Sequence, residues 1–107
     1  MNKSAFTKRY DVETGGVFMT TVKEHTITED MTRYLQRQYT VYRNAKGAES
    51  ADVEVLYTSM IIYIHGFIRG IRTLFPDSEA PSRIETELLK ENTRLHEESL
   101  KLIEKQH

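Results

Sequence analysis

The chain contains no cysteine. That excludes a disulfide framework and a thiolate zinc site. It carries no excess of either charge: 15 basic and 16 acidic side chains leave a formal net charge of −1 over 107 residues. A dedicated nucleic-acid binder usually carries a basic excess, so the balance disfavours that class while leaving a local basic patch open. Long apolar runs are also missing. The longest, Met60 to Ile64, is far too short for a membrane span even when carried on through Phe67 and Ile68, and Arg69 and Arg72 close it. The opening stretch MNKSAFTKRYDVETGG lacks the apolar segment of a secretory signal. With the missing cysteine, this sets the expectation of a cytoplasmic protein.

Catalytic and metal-binding patterns are absent too. His25, His65, His96 and His107 are widely spread and form no pair at ligand spacing, so neither a metal nor a cofactor is expected. The acids are scattered over helical stretches and single out no carboxylate pair. His65 has no Ser, Cys or Asp at a motif spacing to orient it as a general base. The chain is therefore not expected to be an enzyme.

What the sequence does contain is helix, in one domain by length. A core this small is marginal and would gain from a partner or from self-association. The first 26 residues are the exception. Phe6, Tyr10 and Val12 alternate, ETGG follows, then VFMTTV. Alternation around Gly-Gly suggests a small β-hairpin, with an arm lacking fixed structure as the alternative. Residues 27–107 form the helical domain.

The first helix is expected over 28–46. Thr28 would cap it, Glu29 and Asp30 would sit in its first turn, and Gly47 would stop it. Met31, Tyr34, Leu35, Val41 and Tyr42 share a face, interrupted by Gln38. The second is expected over 51–75, with Ser50 as N-cap and Pro76 beyond its end. Apolar side chains fill most of its circumference, Val55, Leu56, Tyr63, Ile64 and Leu74 among them. Such a helix should be central in the domain or lie in an oligomer interface. The third is expected over 82–106, opened by a Ser82–Glu85 capping box. Leu88, Leu95 and Leu102 recur every seven residues, with Asn92 and Ser99 at the intervening positions. This is the pattern of a short coiled-coil seam, in which a buried Asn sets register. Near Ile84 to Leu89 the stripe reads as bundle packing; towards the C-terminus it reads as association between chains. The expected fold class is all-α: a three-helix bundle of two long helices and a shorter one, with an N-terminal hairpin or arm, assembled as a homo-oligomer.

IHGFIRGIR, residues 64–72, places Gly66 and Gly70 inside the second helix. Each costs about 1 kcal/mol relative to alanine. With Ser59 and Thr73 they make a narrow strip of small residues that lets another backbone approach. The favoured occupant is the first or third helix of the same chain; the alternative is a symmetry mate.

Two groups could bind a partner. His65, Arg69 and Arg72 share one side of the second helix and could grip a phosphate or carboxylate, unless acids of the third helix such as Glu85 or Glu91 neutralise them. RYLQRQYTVYR, with Arg33, Tyr34, Arg37, Tyr39 and Arg43, mixes the residues enriched at protein interfaces. The function expected first is binding of a protein partner by a small adaptor, inhibitor or regulator. A small protein of a phage or other mobile element that blocks a host factor would fit this composition. The alternatives are an oligomer that sequesters an anionic, nucleotide-like ligand through His65, Arg69 and Arg72, and a nucleic-acid-binding regulator using the Arg33–Arg43 face.

Overall fold

The computed structural model describes residues 19–106. They form three helices: α1 (Thr21–Asn44), α2 (Ser50–Leu74) and α3 (Ala80–Gln106). The all-α bundle is as expected, although the helices are nearly equal at 24, 25 and 27 residues rather than two long and one short. Of the expected hairpin, residues 1–18 lie outside the described residues. Residues 21–26 are helical, so the boundary expected after residue 26 falls inside α1.

The ends follow local chemistry. Thr20, not Thr28, caps α1: its hydroxyl accepts from the Lys23 N–H at 3.1 Å. Thr28 lies mid-helix, its hydroxyl donating to the Glu24 carbonyl at 2.9 Å. The helix reaches back because Ile27 continues the stripe of Met31 and Leu35 by one more turn onto the core. It ends at Asn44, and Gly47 takes the connector through a left-handed turn at φ 79°, a conformation that costs glycine nothing. Glu49 rather than Ser50 precedes α2, and the Asp52 carboxylate accepts the Glu49 N–H at 2.8 Å. At the start of α3, Ser78 accepts the Ala80 N–H at 3.1 Å. Ser82 is already inside the helix, so no Ser82–Glu85 capping box forms, and Glu85 reaches across to α2 instead. Pro81 sits in the first turn, where its missing N–H is tolerated.

The cross-helix bonds fix the topology. Along the α1–α3 seam the pairs are Glu24–Arg83, Gln36–Glu91 and Arg43–Glu98, with both numbers rising together, so these helices run parallel. Along the α2–α3 seam they are Glu54–His96, Tyr57–Thr93, His65–Glu85 and Arg72–Ser82, one number rising as the other falls, so α2 is antiparallel to α3. The helix between the other two is α3, which packs extensively on both. α1 and α2 meet sparingly, chiefly where the Tyr34 and Tyr63 rings stack at 5.0 Å. Of the two places expected for the most apolar helix, the centre of the domain is therefore taken by α3 instead.

The reason is the phase of the stripes. On α3, Ile84, Leu88, Asn92, Leu95, Ser99 and Ile103 are all buried within one chain. Four- and three-residue steps place them on one line, wide enough for two neighbours because half-buried Leu89, His96 and Leu100 flank it. On α2 the buried line is Val53, Leu56, Met60, Ile64, Ile68 and Ile71. Asn92 joins all three helices. Its Oδ1 accepts from the Tyr39 hydroxyl at 2.6 Å, and its Nδ2 donates to the Tyr57 carbonyl at 3.2 Å. The Ser99 hydroxyl is buried with no hydrogen-bond partner among the described residues.

Candidate functional site

With α3 against one side of α2 and α1 touching a second, the outer side of α2 is open among the described residues. Val55, Ile62 and Leu74 are 62%, 68% and 65% exposed. Ser59, Gly66, Gly70 and Thr73 are exposed between and beside them, and Tyr63 borders the groove to α1. The positions 55, 59, 62, 66 and 73 lie along one line of the helix, opposite Val53, Ile64 and Ile71. From Val55 to Gly66 that line carries no charged side chain. Among the described residues, a Cβ added at Gly66 or Gly70 would meet nothing within 4 Å. The expected packing of the first or third helix on this strip is not seen: neither α1 nor α3 covers it.

The other outer faces differ. α3 turns Glu87, Lys90, Glu97 and Lys101 to solvent, and α1 turns Arg33, Arg37 and Asn44. By length and composition α2 could cross a membrane, the one such helix among the described residues. Its inner side nevertheless packs on α3 and bonds to Glu85 and His96 as a core helix does.

The residues singled out from the sequence divide into spent and free. Glu85 accepts from both groups that flank it on α2: His65 Nδ1 lies 2.9 Å from its Oε2, and Arg72 Nη2 lies 3.3 Å from its Oε1. The Arg69 guanidinium makes no hydrogen bond or ion pair among the described residues, while Glu85 takes up His65 and Arg72, so His65, Arg69 and Arg72 do not converge on one empty site. On α1, Arg33 pairs within its own helix with Glu29 and Asp30. Arg43 pairs with Glu98 at 2.8 Å, and Tyr39 is wholly buried, which removes it from any outer face. Tyr34 is half-buried against Tyr63, and Arg37 points outward. Of the expected self-association residues, Leu88, Asn92 and Leu95 are covered within a single chain and offer no surface to a second. The stripe passes from Leu102 to Ile103 at its end, leaving Leu102 partly exposed. Gly66 and Gly70 remain open.

Val55, Ile62 and Leu74 are the surface residues the sequence reading missed, having been counted into the apolar girth of α2. Their signal was angular. Val55 and Ile62 lie about 160° or more around the helix from the Val53–Ile71 line, an outer stripe of its own.

Other concavities are shallow. At the start of α1 and α3 an open depression of about 480 Å³ is lined by Glu24, Thr28, Ser82, Arg83, Thr86 and Glu87. Arg83 crosses it with two hydrogen bonds to Glu24, at 3.0 and 2.9 Å. Those bonds hold the Glu24 carboxyl below its ordinary pKa range. Both charges are therefore already matched. No group of three His, Asp or Glu able to hold a metal occurs among the described residues. Comparison with protein families, curated proteins and solved structures gives no match.

Proposed function

We propose that the protein acts by binding another protein chain, as a small adaptor, inhibitor or regulator, and that the outer face of α2 is the contact surface. One observation carries this reading: the most apolar helix stands at the edge of the bundle with an uncharged, side-chain-poor face towards solvent. Burial of apolar area drives association at about 25 cal/mol per Å². A face that is apolar at its centre and polar at its rim has the anatomy of an interface. Tyr63, Tyr34 and Arg37 border it and belong to the residue types that anchor interfaces. The anion-sequestering alternative is weaker, because Glu85 already accepts from His65 and Arg72. The basic stretch of α1 is likewise largely neutralised by Glu29, Asp30 and Glu98.

The test is site-specific photo-crosslinking in living cells, with a benzophenone side chain at residue 62 or at residue 97 on the solvated face of α3. Protein adducts from position 62, with none from position 97, are expected. Equal adducts from both positions, or none from either, would rule out the α2 face as the contact surface.

A further inference from the structure

We infer that the chain bound at this face is a second copy of the protein, with the two α2 helices antiparallel and crossing near Ile62. The inference rests on the reading of that face as an interface and names its occupant.

The charge order along α2 argues for a copy and for its direction. Acids lie at one end and free basic charge at the other. Asp52 and Glu54 come before Val55, while Arg69 stands seven residues after Ile62. Glu54 is eight residues before Ile62 and on the same flank as Arg69. An antiparallel pair about Ile62 therefore sets Arg69 of each copy at the level of Glu54 of the other, twice over. A parallel pair brings the two Arg69 side chains to one level near the contact line and leaves Glu54 with no basic partner, so it gains no cross-pair and gathers like charge. Arg69 makes no ion pair among the described residues, and Glu54 stays more than half exposed while bonded to His96. Both ends of the cross-pair are therefore accessible.

Shape agrees with charge. Ser59 and Gly66 lie on the line either side of Ile62, and nothing among the described residues fills the space a Gly66 or Gly70 Cβ would take. A second backbone can thus approach closely, and its dispersion contacts offset the helix propensity lost at two glycines. The pairing leaves α3 of each copy on the outside of its own α2. The most apolar helix then becomes the centre of a six-helix assembly.

The absence of cysteine makes the geometry directly measurable. Ile62→Cys lies on the two-fold axis and should form a disulfide with its own copy under mild oxidation. Val55→Cys should not, because its copy lies about 21 Å away along the axis at 1.5 Å per residue, beyond disulfide reach. A mixture of Val55→Cys and Arg69→Cys chains should cross-link. Sedimentation velocity should give about twice the 12.5 kDa chain mass, and Gly66→Leu should return the monomer mass with helix content retained. Self-linking of both Ile62→Cys and Val55→Cys would overturn the antiparallel direction. A monomer at every concentration, with no Ile62→Cys dimer, would overturn the second copy. In that case photo-adducts from residue 62 to a different protein would leave the broader reading intact, and vesicle binding by the monomer would replace both with a membrane surface.

Discussion

A carboxamide buried among leucines costs free energy unless its polar atoms find partners, and Asn92 finds one on each neighbouring helix. Burial pushes the Tyr39 hydroxyl far above its ordinary pKa, so it stays protonated and donates to Asn92 throughout the neutral range. Tyr39→Phe strips the Asn92 oxygen of its donor and should cost about 1–3 kcal/mol. Combining it with Asn92→Leu should cost clearly less than the two single changes added together, because no orphaned group then remains. Urea unfolding of the four proteins gives the coupling, and strictly additive costs would mean that the hydrogen bond links nothing. The sequence placed Asn92 on the covered stripe of its helix, as part of a seam between chains, and its carboxamide is instead bonded to the two other helices of its own chain. Heptad spacing reports only that one face is covered, and the covering partner here includes Tyr39, whose hydroxyl had been assigned to an outer surface.

The seams between helices are built differently, and that difference fixes where acid should act. Beside the α1–α3 seam, Arg94 binds Glu91 at 2.7 Å and Glu98 at 2.8 Å within α3, while Gln36 of α1 donates across the seam to Glu91 at 3.0 Å. Hydrogen bonds from Arg94, against an opposing contribution from burial, hold the Glu91 carboxyl below its ordinary range, as those from Arg83 do for Glu24. The unfolded chain therefore binds more protons than the folded one. The stabilisation is fully present above about pH 4.3, the unfolded glutamate value, and is lost as pH falls through the lowered folded values. The urea midpoint should drop between about pH 5 and pH 2. Glu91→Gln, which cannot titrate, should flatten that drop; an unchanged slope would refute the role of this seam. Much of this was legible as pattern. The existence of three helices, the start of α2 to within a residue, and the pairing of α2 bases with α3 acids could all be read. The starts of α1 and α3 were not, since Thr20, Thr28, Ser78 and Ser82 are all competent caps and only packing chooses among them. Nor was the order of the layers. Total apolar content allowed α2 to be either the central helix or part of an interface, and the single broad stripe of α3, Ile84 to Ile103, takes the central place.

At the scale of the whole molecule, one helix holds the other two. α3 is covered on two sides, while α1 and α2 touch each other mainly through one pair of stacked tyrosines. Opening either outer helix exposes one seam; opening α3 exposes both. Amides in the middle of α3, from Leu88 to Ser99, should therefore exchange with solvent most slowly in dilute protein, with α1 and α2 opening at lower free energy. Pairing of two α2 helices changes that order in a defined way. Each copy then covers the outer face of the other, and binding confined to the folded state adds stability that grows with protein concentration. Hydrogen exchange followed by mass spectrometry over a dilution series should show protection of the Thr58–Gly70 segment rising with concentration towards that of α3. The first turns of α1, from Thr21 to Glu24, stay as they were, because no second chain covers them. Protection that rises uniformly along the chain would mean that dimers exchange only by dissociating and unfolding as a unit. A pattern that ignores concentration would mean that α2 keeps an open face in solution. Only selective protection of α2 is what an antiparallel pair centred on Ile62 produces.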